Sequence, residues 1–341
     1  MTPRLFAPLA IAIAAAVTML PPRSRSERPP RTHPPKARVG LVFDVGGRGD
    51  KSFNDAAYIG LMRAERELDV DVRFLEPAST EDREAALRLF ASQKLDLVIG
   101  VGFIFSSDVD AVARTYPKIH FACVDYAPMG GPMPPNVLGL AFREEEGSFL
   151  VGAAAGLLSQ THVVGFVGGM TIPLIRKFEA GYAAGVSATC PSCTVQATYA
   201  GATPDAFKDP AKGKLLAIGE AAAGADVIFH ASGSTGHGVF EAAKEMHIHA
   251  IGVDADQHDE MPGVVVTSMV KRVDVAVFDA IEDVIAGRFH GGMRELGLAE
   301  HGVDWVHEGP HATDLPRDVV DRVEALRAHV ASGEIKVPTE R

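Results

Sequence analysis

The chain has 341 residues, 33 basic and 44 acidic, for a net charge of −11, with 47% hydrophobic and 7% aromatic side chains. Its length suggests about two domains, and its apolar fraction excludes disorder of the whole chain. Three cysteines exclude a disulfide-dense mini-scaffold, and the acidic balance argues against nucleic acid as a partner, because that needs a basic footprint.

The charge is uneven. Residues 1–36 carry six basic side chains (Arg4, Arg23, Arg25, Arg28, Arg31, Lys36) against one acid, Glu27, which leaves −16 on the remainder. The basic head reads as an export signal over 1–20. Arg4 is a minimal positive start, and Leu5 to Leu20 is an apolar run too short for a comfortable membrane span. No Cys follows that run, so a lipid anchor at the usual place is doubtful, and the expectation is an exported protein of the periplasm or cell envelope. Residues 21–37, with six prolines among arginines and serines over Pro21 to Pro35, read as a solvated linker.

Strands and helices then alternate. Val39 to Phe43 is a short apolar run ending in Asp44 and glycines, as a buried parallel strand does. A helix over Phe53 to Leu68 follows, then a strand over Val70 to Phe74, a helix over Thr80 to Gln93 and a strand over Leu95 to Gly100. Ser106 to Thr115 reads as a helix and Ile119 to Val124 as a strand. Pro128 to Pro135 is a Gly/Pro loop. Beyond it come strand Val137 to Phe142, helix Glu144 to Leu158, strand Val163 to Val167, helix Ile172 to Val186 and strand Thr194 to Tyr199. Helix Ala211 to Ala223, strand Val227 to His230, helix His237 to Met246 and strand His249 to Val253 continue the pattern. Val264 to Met269 (strand), Val273 to Ile285 (helix), Val303 to His307 (strand-like) and Leu315 to Ala331 (helix) complete it. The order implies an α/β fold of two Rossmann-like lobes with parallel sheets, joined by a hinge of several segments. The expected lobes are 38–142 plus about 264–290, and 143–263 plus about 291–332.

Ligands of open parallel sheets bind beyond the carboxyl ends of strands. The residues there are Asp44, Gly102, Asp125, Gly168, Gly233 and Asp254. The loop from Asp44 to Asn54 only approximates a dinucleotide fingerprint and lacks a Walker lysine, so phosphate binding is a weak reading. Phe53 and Asn54, an aromatic beside an amide at the start of a helix, suit a flat ring and its polar edge; core packing and helix capping are the equal alternative. Cys190 and Cys193 form a C-x-x-C ahead of a strand, for which a local disulfide is favoured over a redox role. Cys123 lies in an apolar run and reads as a buried thiol. The histidines, His258 and His311 among them, are scattered and read as surface or packing residues, so no metal and no cofactor is expected.

Several ordered motifs carry a resemblance over about residues 37–310. They are Asp50-Lys-Ser-Phe-Asn54, Phe121-Ala-Cys-Val-Asp125, Glu145-Glu-Gly-Ser-Phe-Leu-Val-Gly152, Gly168-Gly-Met-x-x-Pro173, Arg176-Lys-Phe178, Gly233-Ser-Thr-Gly236, Ile251-Gly-Val-Asp-Ala-Asp-Gln257 and Thr267-Ser-Met-Val-Lys-Arg-Val273. Together they resemble the basic-membrane-protein family of ABC-transporter substrate-binding proteins, whose best-understood members are similar to purine-nucleoside receptors. The resemblance implies a type I periplasmic-binding fold that closes on a nucleoside and docks on a permease. It implies that Phe53 stacks on the base, that Asn54 and Asp125 bond its edge, that Asp254 and Lys271 hold ribose hydroxyls, and that Gly233 supplies backbone. Asp44 shapes the first loop, and Phe178 and Phe229 are alternative candidates for a second aromatic wall. A monomeric binder without catalytic residues is expected. The rivals are a nucleoside-processing enzyme and a binder or sensor for a sugar-like ligand.

Overall fold

The computed structural model describes residues 33–44, 46–77, 82–128 and 130–341. The expected signal and most of the expected linker lie outside the described residues. From Pro35 onward the chain forms one compact unit.

The first sheet begins with β1 (Ala37–Val42), α1 (Phe53–Glu67), β2 (Val70–Leu75), α2 (Arg83–Ser92), β3 (Leu97–Val101), α3 (Ser106–Thr115), β4 (His120–Val124) and β5 (Val137–Phe142). The second sheet begins after a helix, α4 (Glu144–Leu158), with β6 (Val163–Met170), α5 (Pro173–Thr189), β7 (Thr194–Gly201) and α6 (Pro210–Ala222). It continues with β8 (Val227–Ala231), α7 (Gly236–Met246), β9 (His249–Asp254) and β10 (Val265–Lys271). The chain then returns through α8 (Val273–Ile285) and β11 (Gly292–Leu296), and crosses again to β12 (Val303–Trp305) and α9 (Arg317–Ala331).

The sheet orders are β2-β1-β3-β4-β5-β11 and β7-β6-β8-β9-β10-β12, the same order twice, with the sixth strand reversed in the second sheet. All described pairs are parallel except β10 with β12. Every residue of β3 and β8 is buried, as strands covered by helices on both faces must be.

Two boundaries differ from the sequence expectation. Val265–Lys271 belongs to the second lobe and not the first, because it pairs with β9 from Val265 opposite Ala250 to Val270 opposite Asp254. The chain crosses only at Arg272. Residues 292–296 were expected in the second lobe with no strand of their own, yet they pair along β5 in the first. Met-Arg-Glu-Leu at a sheet edge has too little apolar alternation to announce a strand. The lobes are thus joined at Arg143, Arg272 and residues 297–302.

Close helix crossings hold each lobe. A Cβ at Gly152 of α4 would lie 2.2 Å from the Tyr182 carbonyl oxygen of α5, and one at Gly60 of α1 would lie 2.2 Å from that of Asp274 in α8. Cys190 and Cys193 form a disulfide, Cys123 is a buried free thiol, and buried Trp305 donates its indole N–H to Glu324 at 2.8 Å. Among the described residues no helix is long and apolar enough to cross a membrane.

Gly152→Val is expected to lower stability by about 1–3 kcal/mol, since the overpacked contact is backbone. Gly219→Ala in exposed α6, where a methyl meets nothing within 4 Å, is expected to add up to about 1 kcal/mol from helix propensity. Denaturant titration of the two variants checks both signs.

Candidate functional site

The first wall is the loop from Asp44 to Asn54. Ser52 precedes α1 but makes no side-chain cap bond. Buried Asp50 does that work. Its carboxylate accepts the N–H groups of Ser52 at 3.0 Å, Asn54 at 2.8 Å and Asp55 at 3.1 Å. Burial, the largest influence, raises the Asp50 pKa, and these amides oppose that rise. With the helix start satisfied from Asp50, the Ser52 hydroxyl is released to donate across the cleft to Asp254 Oδ2 at 2.6 Å. The Asn54 amide is largely committed to the loop. Its oxygen accepts the Asp44 N–H at 3.1 Å and its nitrogen donates to Asp50 at 3.1 Å.

Equivalent strand ends supply the acids. Asp125 follows β4 and Asp254 ends β9, with φ of 58° and 66°. Aspartate tolerates this left-handed conformation better than most residues. The glycines after β3 and β8 are required for a different reason. Gly102 has φ of 105°, and a Cβ there would lie 2.4 Å from Asp44 Oδ2.

A buried charge cluster forms the floor. Lys271 Nζ lies 2.6 Å from Asp125 Oδ1 and 3.0 Å from Glu144 Oε1. Lys177 Nζ lies 3.1 Å from Glu144 Oε2 and donates to the Phe142 carbonyl at 2.8 Å. Burial pulls the Lys271 pKa down, but Asp125, Glu144 and Asp254 outweigh it and raise it above the usual lysine value, so the group stays an ammonium. Burial raises Asp125, with Lys271 opposing. It also raises Asp254 to about 6, against the pull of Lys271 and the Ser52 hydroxyl.

These walls border a pocket in the cleft between the lobes. Asp44, Phe53, Asn54, Asp125, Phe178, Gly233, Asp254 and Lys271 all line it. The Lys271 ammonium is 5.2 Å from the Phe53 ring centre and 5.7 Å from that of Phe178, so both rings border the same end. Phe229 does not line it. Its ring is fully buried within β8, 5.3 Å from Tyr182 and 5.7 Å from Phe166, on the face turned to the helices. Gly168 likewise lies inside β6, under the Tyr199 ring.

Sequence reading missed four contributors. Phe103 follows the flagged Gly102, so its place was readable from the strand end. Phe207, which meets Phe103 edge-on at 6.4 Å, lies in a loop with no periodic signal. Ser52 falls inside the Asp50–Asn54 motif with no role of its own and Glu144 starts a helix; only contacts between distant segments show their use, Ser52 with Asp254 across the cleft and Glu144 with Lys271 within the second lobe.

Lys271→Met is expected to cost about 3–5 kcal/mol, because Asp125 and Glu144 lose the cation they share. Chemical denaturation at neutral pH measures it, and a loss below that of Lys177→Met would contradict the assignment. A second prediction concerns pH. The folded pKa of Asp254 lies above its unfolded value, so the folded state holds the extra proton and stability falls as pH rises from about 4 to 6. Asp254→Asn removes that slope. Its stability relative to the parent should be more favourable at pH 7 than at pH 4, by on the order of 3 kcal/mol.

The family described as Bmp, ABC transporter substrate-binding protein PnrA-like, matches residues 37–341. A CD4+ T-cell-stimulating antigen of Listeria monocytogenes is 36% identical over 322 residues, covering 88% of this chain and 87% of that protein. An ABC transporter nucleoside-binding protein, BmpA, of Lactococcus lactis is 29% identical over 325 residues, with 89% of each covered. The crystal structure of an ABC transporter system solute-binding protein from Aeropyrum pernix K1 superposes with a TM-score of 0.79 at 33% identity, covering 89% of this chain and 94% of that one. Two lobes of repeated strand order, a pocket lined from both and these likenesses converge: the chain belongs to the Bmp family of PnrA-like ABC-transporter substrate-binding proteins, with a type I periplasmic-binding fold, and is a solute-binding protein, not an enzyme.

Proposed function

We propose that the protein binds a nucleoside, a purine nucleoside foremost, between its lobes and presents it to a membrane permease outside the cell's inner membrane. The observation that carries this reading is one cavity bordered by Phe53 from the first lobe and Phe178 from the second, with Asp125 and Asp254 at matching strand ends. A nucleoside is a flat heteroaromatic joined to a vicinal diol. The rings suit the base, since stacking is worth about 1–3 kcal/mol per base. A carboxylate accepts from two hydroxyls at once, which suits Asp254 for the ribose. Two of the three Lys271 donors face carboxylates, and this reading gives the third to a ribose oxygen. Asp125 takes the base edge, and Asn54, with most of its amide already used, offers it one remaining N–H. Asp44 and Gly233 contribute loop and backbone. The name of the Lactococcus lactis relative supports the ligand class.

Closure is part of the reading. Ser52 with Asp254, Lys271 with Asp125, His237 Nε2 at 3.2 Å from the Asp50 carbonyl, and Phe103 with Phe207 all bridge the cleft. A ligand that touches both walls favours this closed arrangement over an open one by its differential affinity, and the permease reads the closed form.

Titration calorimetry with inosine, guanosine, adenosine, free ribose and xylose tests this. Phe53→Ala should weaken nucleoside binding about 5- to 150-fold, and Asp254→Ala should abolish discrimination between ribonucleosides and their 2′,3′-dideoxy forms. Unchanged affinity in both variants, or binding of the sugars alone, would overturn the reading.

A further inference from the structure

We propose a binding site for one divalent transition-metal ion of the zinc class on the second lobe, with His258, His311 and Asp259 as its ligands. It is independent of the nucleoside reading and lies outside the cavity lining.

His258 and Asp259 belong to a single 3-10 turn, His258–Glu260, directly after β9. His311 belongs to another, Pro310–Asp314, after β12. The two imidazoles lie nearly parallel, with ring centres 4.5 Å apart and planes 13° apart. Their nitrogens divide into an inner and an outer set. The inner His258 Nδ1 is 3.6 Å, and the inner His311 Nε2 3.2 Å, from the same oxygen, Asp259 Oδ1. One ligand atom from each of the three residues lies within 4.8 Å of the other two. The outer His258 Nε2 is 3.1 Å from Asp314 Oδ2, and the outer His311 Nδ1 is 2.6 Å from Asp256 Oδ2.

That division is what a metal site of this kind needs. A ligating histidine presents one nitrogen to the ion and donates the other to a carboxylate, which fixes tautomer and ring orientation. Here both histidines have the carboxylate already in place. The second, separate observation is that His258 Nδ1 is inaccessible to solvent and has no hydrogen-bond partner. A buried unpaired ring nitrogen costs free energy unless something uses it, and an ion bound to it in the ring plane would. Two nitrogens and one carboxylate oxygen, with a fourth position left to water, suit zinc, nickel or copper better than the oxygen-seeking magnesium or calcium. Asp256, Asp259 and Asp314 surround the two imidazoles with negative charge that a dication offsets. Metal–nitrogen bonds of about 2.0–2.1 Å lie in the plane of each imidazole, so joint coordination requires one ring to turn out of the stacked arrangement; His311, part-exposed in a surface turn, is the ring with that freedom, and Asp259, 78% exposed, can follow it. The turn itself is anchored. Asp256 accepts the His258 N–H at 3.1 Å, and the buried Gln257 amide oxygen accepts the Val253 N–H at 2.8 Å. The separation of 53 positions between the histidines explains why spacing gave no motif.

The test uses the whole chain, freed of metal with EDTA and then dialysed against zinc chloride, with bound zinc counted by mass spectrometry and cobalt(II) absorption as a second readout. One zinc per chain with micromolar or tighter affinity is expected. His258→Ala and His311→Ala should each abolish it, Asp314→Asn should weaken it about 10- to 100-fold, and His247→Ala, an exposed histidine elsewhere, should leave it unchanged. Asp259→Asn, at the exposed position, keeps the test valid if a histidine variant misfolds. Absence of stoichiometric zinc in the parent chain, or equal zinc affinity in a folded His258→Ala/His311→Ala or Asp259→Asn variant, would overturn the proposal.

Discussion

A lysine ammonium withdrawn from water at the junction of two lobes constrains nearly everything around it. Lys271 is 2% exposed in its side chain and ends β10 one residue before the chain crosses to the first lobe. Its partners come from both sides of that crossing, Asp125 from the first sheet and Glu144 from the start of α4 after the other crossing. Desolvating such an ion is costly, and only well-placed counter-charges offset it. The lobes therefore meet in a restricted set of arrangements, and the strand end that carries Asp125 is tied to the hinge.

The same economy recurs in the first loop. Asp50 supplies the acceptors at the start of α1, and that releases Ser52 to bridge to Asp254. Asn54 holds Asp44 and Asp50 in register. The loop is thus preorganised before any ligand arrives, which reduces the ordering cost of binding. Asp254, held partly toward its neutral form by burial yet bonded by Ser52, shows the cost: the acids that suit a diol are also groups the fold would be more stable without. Concentrating such groups in one cleft is how a binding site departs from a pure packing optimum.

The family relationship and the cleft agree on a solute-binding role, and the repeated sheet order gives that role a mechanical basis. Each lobe offers the cleft two aromatic rings, Phe53 and Phe103 from the first and Phe178 and Phe207 from the second, with strand-end acids beside a glycine-bounded turn. A ligand that touches both sets links the two rigid bodies, whereas one that touches a single set leaves them free to part. The second lobe carries, in addition, the paired histidine turns after β9 and β12, whose contacts are confined to that lobe and do not depend on closure.

Much was legible in the chain itself, for local reasons. Runs such as Leu97–Val101 are apolar throughout, as doubly covered parallel strands are, so the succession of strands and helices, two lobes and the strand-end acids are legible. Asp125 and Asp254 stand out because ligands of parallel sheets lie past the strand ends, whereas Phe53, at a helix start, stands out only through the family resemblance. What tertiary structure alone decided depends on contacts between residues far apart in sequence. Val265–Lys271 could join either sheet by its apolarity, and pairing with β9 settled it. Phe178 and Phe229 are both buried aromatics, and only the direction each faces separates cavity wall from core. Glu144 reads as an ordinary acid at a helix start until Lys271 arrives from 127 positions later, because an ion pair between distant segments leaves no periodicity in either partner's own segment.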